Sequence, residues 1–299
     1  MRKIKVITDS CADMDKAMRD EYGIDYVRML LNWGGEERYA LCDWDVYSVK
    51  DLYDALRGGV RISTNQVTAQ EFEEVFGKYV AEGYDIVYVA CSTGLSGTYG
   101  VAQSVAQSIM EAHPECKIVC VDPLTSCAGE AITAIEAAKL AEQGLSPEEI
   151  GEKATAVSRK TFQYCTVADL TFLKRAGRVK AAAAFFGNLF GIKPIIISNA
   201  NGIHEAVKKV KGRKAAIDTC IDAAKKSLAA YADEYPIEER TLYVVHADCI
   251  EDAEYMAKRL REETNVKEVR ISILGTITGA TTGPATVAIF GIGEQMTEF

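Results

Sequence analysis

Three runs in the first half of the chain are apolar almost without interruption: Ile4 to Ile7, Ile86 to Ala90 and Lys117 to Val121. A strand that meets water on one face alternates apolar and polar residues, so unbroken apolar strands must be covered on both faces, as in a parallel sheet between helices. Helix-length amphipathic stretches lie between these runs. Thr68 to Ala81 puts Phe72, Val75, Phe76 and Tyr79 on one stripe, and Thr98 to Met110 repeats small apolar residues at three- and four-residue spacing before His113-Pro114. The alternation predicts a doubly wound parallel α/β domain.

Around Gln143 to Glu149 one helix closes and another opens, with Ser146 as its cap, Pro147 in its first turn and two glutamates following. A boundary is expected close by, separating an N-terminal α/β domain, residues 1–155, from a C-terminal domain, residues 156–299. The second half offers strands at Thr161 to Thr166, Pro194 to Ser198, Ile203 to Val210, Thr241 to His246 and Val269 to Ile273, with helices at Arg213 to Tyr231 and Glu251 to Glu263. Ile203 to Val210 is the most polar and reads as an edge, so this domain is expected to be mixed α/β rather than all-parallel. A chain of 299 residues that is 48% hydrophobic and 26% charged buries a sizeable core, which excludes wholesale disorder and a fibrous repeat.

Charge excludes more. With 34 basic against 43 acidic side chains, the net charge of -9 gives nucleic acid no attractive field. No apolar run approaches the roughly 20 residues that cross a bilayer. Met1 to Ser10 is interrupted by Lys5 and stops at Thr8-Asp9, short of a signal segment. A cytoplasmic protein with at most transient membrane contact is expected. The nine cysteines form no C-x-x-C and no cluster with histidine at zinc spacing, and Cys116 and Cys120 would sit about 13 Å apart along a strand. Reduced thiols and no metal site are the expectation.

Chemistry concentrates where short hydroxyl residues and glycines gather: Thr8-Asp9-Ser10, Ser63-Thr64, Ser92 to Thr98, Thr125-Ser126 and Thr281-Thr282-Gly283. Most follow a strand at its carboxyl end, the edge that forms the ligand crevice of open α/β sheets. Hydroxyls and exposed amides at a helix start suit an anionic oxygen, so a carboxylate or phosphate is the natural guest. Capping and turn duties also explain each cluster taken singly, as they do Asp9 and Asp122. No phosphate-loop or dinucleotide fingerprint occurs. Gly94-Leu95-Ser96-Gly97 falls one residue short of a nucleophile elbow, because Thr98 stands where the second glycine belongs. A hydrolase or transferase using Ser96 therefore lacks both an elbow and an evident base, the three histidines being His113, His204 and His246.

Thr8-Asp9-Ser10, Thr64-Asn65-Gln66, Ser92 to Tyr99, Val121-Asp122 with Ser126, Leu173 to Arg178, Lys193-Pro194-Ile195 and Thr282-Gly283-Pro284 occur in one order over nearly the whole chain. Together they resemble the DegV family. The resemblance implies a two-domain DegV-like fold that encloses one long-chain fatty acid between its domains. It also implies a non-enzymatic lipid carrier without a cofactor, the acyl-binding subunit of a bacterial fatty acid kinase whose ATP-dependent partner phosphorylates the carboxylate. Carried over by motif, Thr64 and Ser96 bind the carboxylate with the Gly97 N–H, and Arg178 contacts the head group or the partner. Phe185, Phe186, Leu189 and Phe190 form a helical apolar stripe that can line the tunnel, cover its mouth, or simply be core. The family commonly has a histidine where this chain has Thr281, so a role of that position in carboxylate binding or phosphoryl transfer must be altered here. Ala176 and Val67 replace a glycine and a proline of the family pattern. A binder or sensor of another anionic lipid is the related alternative.

Overall fold

The computed structural model describes residues 2–168, 170–180 and 191–298. The apolar runs of the first half become β1 (Lys3–Asp9), β6 (Tyr84–Val89) and β7 (Ile118–Val121), which with β2 (Asp25–Val27) form a four-stranded sheet in the order β2-β1-β6-β7. Every pairing in it is parallel. Two helix pairs cover it: α3 (Ala69–Ala81) with α4 (Thr98–Ala112), and α5 (Ala128–Glu142) with α6 (Pro147–Ser158). The Phe72 and Phe76 rings of α3 are fully buried and meet Tyr88 of β6 at ring-centroid distances of 5.2 and 5.7 Å. Thr68 caps α3 through the Glu71 N–H, and Ser146 with Glu149 makes a reciprocal capping box on α6, the position expected from Ser146-Pro147. Ahead of these lies α1 (Lys16–Tyr22).

A second small sheet has the order β4-β3-β5, from β3 (Met29–Trp33), β4 (Glu36–Ala40) and β5 (Ile62–Asn65). Gly34 and Gly35, both at positive φ (66° and 89°), join β3 to β4 as a two-residue hairpin, a turn that glycine makes without steric cost.

The second half builds a seven-stranded mixed sheet in the order β13-β12-β14-β8-β10-β11-β9. Its strands are β8 (Thr161–Thr166), β9 (Val179–Lys180), β10 (Ile192–Ser198), β11 (His204–Lys211), β12 (Thr241–His246), β13 (Glu268–Ile273) and β14 (Val287–Ile292). β12 and β13 are parallel, whereas β14 runs antiparallel to both β12 and β8. β11 is nearly an edge, since beyond it lies only the two-residue β9. The helices α8 (Arg213–Ser227) and α9 (Ile250–Glu263) place Ile217, Ile221, Met256 and Leu260 against Phe162, Ile195, Leu242 and Ile289. The first of these helices ends at Ser227, not at Tyr231 as the pattern suggested. Its terminal carbonyls are claimed from outside, that of Ser227 by the Glu294 N–H and that of Leu228 by Arg240, and Tyr231 adopts a left-handed φ of 60°.

The chain divides into two compact units, one made of Met1–Asp43 and Thr64–Arg159, the other of Trp44–Ser63 and Lys160–Phe299. The later break thus lies a few residues beyond the expected position, and a segment of the first half belongs with the second. That segment carries α2 (Val49–Arg57), which meets α10 (Thr276–Thr282). The fully buried Tyr53 of α2 donates its hydroxyl to the Leu274 carbonyl at 2.8 Å, and Arg57 pairs with Asp248 at 2.6 Å. The remaining short helix, α7 (Thr171–Ala176), also touches α10. Among the described residues no helix is long and apolar enough to cross a membrane. All nine cysteines are free thiols, seven of them buried.

Candidate functional site

In the first unit the strand order reverses between β1 and β6, whose chain connections lead to opposite sides of the sheet. Ligands of open α/β sheets bind outside the carboxyl ends of the strands at such a point. The loop after β6 is folded on Ser92, whose carbonyl accepts the Leu95 and Ser96 N–H groups at 3.0 Å and whose hydroxyl accepts that of Gly94. It is tied to the loop after β7 by the Ser92 N–H on the Thr125 carbonyl (3.0 Å) and the Thr93 hydroxyl on Asp122 (2.5 Å). Asp122 also accepts the Leu124 N–H, so its carboxylate is spent on holding two loops together.

This loop delivers Ser96 and Gly97 to the start of α4. The Ser96 hydroxyl lies 2.8 Å from that of Thr98 and accepts the Thr98 N–H, and the Thr98 hydroxyl accepts the Val67 N–H at 3.3 Å. Gly97 is the N-cap. A Cβ there would come within 2.3 Å of Gln66 Oε1, so the segment after Thr64 lies directly over it. The first turn of α4 holds no acidic side chain, which leaves the positive end of a 15-residue helix without internal compensation. Thr64 and Ser96 are half-buried and Gly97 is exposed. Thr64 lies within β5 rather than beyond a strand end.

Beneath these loops the carboxyl ends of β1 and β6 are sealed. Asp9 is fully buried and accepts the N–H groups of Cys11 and Cys91 and the Tyr88 hydroxyl, at 2.8 to 2.9 Å. Thr8 donates to Glu130 at 2.7 Å, and Ser10 donates to the Ala40 carbonyl while accepting the Met29 N–H. Burial pushes the Asp9 and Glu130 carboxyls up from the ordinary range. Thr8, Asp9 and Ser10 therefore form the floor of the crevice. Their polar atoms are engaged inside the protein and out of reach of a guest.

The other candidates from the sequence lie in the second unit. Thr281, near the end of α10, donates its hydroxyl to the Ile277 carbonyl at 2.8 Å. The exposed Arg178 follows the left-handed C-cap Gly177 and donates to the Ala176 carbonyl. Phe185, Phe186, Leu189 and Phe190 lie outside the described residues. His246 is buried and accepts the Cys249 N–H at 3.2 Å, the role of a satisfied strand-end residue. His204 is buried beside Gln163, and burial pushes it down to about 4. The Ser96 hydroxyl bonds to Thr98, and among the described residues no imidazole or carboxylate hydrogen-bonds it, as the base of a hydrolase would. A cleft of about 450 Å³ opens at the opposite, amino edge of the parallel sheet. There Arg2 is held by Asp85 and by the Val80 and Tyr84 carbonyls, so it offers an anion no uncommitted charge.

Residues 3–294 match the model of the DegV family, whose description calls it an uncharacterised protein family. A DegV domain-containing protein of Clostridium perfringens is 34% identical, with 98% of this chain and 99% of that protein aligned. Two solved structures superpose over 98% of this chain and all of their own, each at 25% identity. One is a fatty-acid-binding DegV family protein from Thermus thermophilus (TM-score 0.86), the other DegV, a fatty acid binding protein from Bacillus subtilis (TM-score 0.82). The agreement of the family match, the relative's full-length alignment and the shared fold leads to one statement: the chain belongs to the DegV family.

Proposed function

We propose that this chain is a non-enzymatic carrier that binds one long-chain fatty acid and takes its carboxylate at Thr64, Ser96 and the Gly97 N–H. The observation that carries the reading is the half-buried Ser96 at the uncompensated N-terminus of α4, with the segment after Thr64 lying over Gly97. The fatty-acid-binding DegV proteins of Thermus thermophilus and Bacillus subtilis support it. Hydroxyls and amides are neutral donors that grip a carboxylate while leaving one oxygen nucleophilic, which a lysine clamp would quench. That suits presentation to an ATP-dependent fatty acid kinase, whose product would be an acyl phosphate, with the exposed Arg178 as a candidate contact to that partner.

Native mass spectrometry of the protein purified from bacteria should show about one long-chain acid per chain. Protein that stays empty and ignores added acids removes the proposal. For the second half of the reading, the loaded protein is incubated with ATP and a fatty acid kinase, and hydroxylamine traps acyl phosphate. Trapped product that depends on this protein supports the carrier role; its absence with a kinase active on another DegV protein leaves lipid binding without phosphoryl transfer.

A further inference from the structure

Under the crevice of the first unit, three elements far apart in the chain converge on one buried point. Cys11 lies in the 3-10 turn Ser10–Ala12 after β1, Cys91 follows β6, and Glu130 sits in the first turn of α5. Their two sulfurs and one carboxylate oxygen all lie within 4.8 Å of one another, and each residue is at most 4% exposed.

The surroundings are organised around these three. Thr8 donates to Glu130 Oε1 and fixes the carboxyl group, which also hydrogen-bonds Asp9. Asp9 accepts the backbone N–H of both Cys11 and Cys91, so one carboxylate holds the two cysteines in place, and Tyr88 in turn anchors Asp9. Among the described residues no lysine, arginine or histidine pairs with Glu130 or Asp9. Without such a partner, burial favours the neutral form of both carboxyls, and a bound cation would draw the ionised form of Glu130.

We propose that Cys11, Cys91 and Glu130 form a binding site for a thiophilic divalent cation, zinc in the first place. Two sulfurs and a carboxylate oxygen are borderline-soft ligands of the kind zinc takes, and their mutual separation spans that of a four-coordinate site with metal–ligand bonds of about 2.0–2.3 Å. On binding, both thiols and the Glu130 carboxyl release their protons to solvent, since each ligates in its deprotonated form. Asp9 and Thr8 orient the ligands from behind, the outer-shell arrangement common to protein metal sites. Three protein ligands leave a fourth position for water. The buried setting marks the site as a structural clasp between β1, β6 and α5 rather than a catalytic centre. It is independent of whether a fatty acid binds above it.

The test uses the full chain, produced with zinc in the medium and purified without chelators. Elemental analysis should give about one zinc per chain, and cobalt in its place should give a sulfur-to-cobalt charge-transfer band. Cys91→Ser and Glu130→Gln should each weaken zinc at least tenfold in competition with a chromophoric chelator. Should these variants fail to fold, the wild type still decides: zinc-free as purified, and taking up no zinc or cobalt on refolding from denaturant in their presence, it overturns the proposal. Undiminished zinc binding by a folded Cys11→Ser, Cys91→Ser double variant also overturns it.

Discussion

The proposed carboxylate site is tested most directly by replacing Thr64 and Ser96 together with alanine. Hydrogen bonds to a charged group contribute about 1.5–3 kcal/mol each. Both hydroxyls are half-buried, so water can take up part of the lost bonding, and the lower end of that range applies. Together they come to about 3 kcal/mol, roughly 100-fold in Kd. Binding is expected to persist, because an acid with about 16 to 18 buried carbons would supply roughly 13 kcal/mol gross before association costs. A structural side effect is also calculable. Ser96 accepts the Thr98 N–H just ahead of α4, and losing that bond costs about 1 kcal/mol, a fall in Tm of about 2 °C. Calorimetric titration of delipidated protein with a long-chain acid separates the two effects. Ser104→Ala, which removes an exposed hydroxyl bonded to the Gly100 carbonyl on the same helix, is the control. A change in Kd below about threefold in the folded double variant, or an equal loss in the control, would move the head group away from α4.

Three further outcomes follow from packing and burial. In Gly279→Ala the new Cβ meets the Tyr53 hydroxyl at 2.5 Å, so overpacking outweighs the gain in helix propensity and the urea midpoint falls by the equivalent of about 1–2 kcal/mol; an unchanged midpoint would refute the close approach. Arg240 donates to the carbonyls of Leu228, Ala230, Tyr235 and Ile292, and Arg240→Met strands them at a cost of about 3–5 kcal/mol, read as lost soluble yield or a lowered midpoint, whereas a loss under about 1 kcal/mol would show that solvent satisfies them. His204 is held down at about 4 against an ordinary 6.5, so over that interval the unfolded chain binds a proton that the folded chain refuses. Stability should fall, by up to about 3 kcal/mol, as pH drops from 6.5 to 4, and His204→Phe should flatten the profile; parallel profiles would exclude the assignment.

The parallel sheet was legible because its strands are apolar on both faces, a pattern that survives without knowledge of partners. Strands Thr161–Thr166 and Thr241–His246 match their expected limits for a related reason, since each is bounded by polar residues and buried along its length. The hairpin of β3 and β4 escaped because Glu36 to Tyr39 face solvent, although Gly34-Gly35 is a hairpin signal that a turn-first reading would have caught. At the site, Ser96, Gly97 and the segment after Thr64 do come together, through Gln66 over Gly97 and Val67 on Thr98. Thr8, Asp9 and Ser10 looked equally available in the sequence. A sequence counts donors and acceptors but does not show which are already paired, and all three find partners in the interior. Cys11, Cys91 and Glu130 obey no spacing rule, because their meeting depends on the strand order and not on any one element.

The excursion of α2 into the second unit also sets a schedule for synthesis. Tyr53 and Arg57 leave the ribosome 221 and 191 residues before the backbone groups they bind, those of Leu274 and Asp248. At about 5–20 residues per second, this helix waits on the order of 10–40 s with its apolar face unmatched. The nascent chain thus carries an exposed greasy segment through most of translation, and that interval is when a holdase or a neighbouring polysome chain has its best opportunity to seize it.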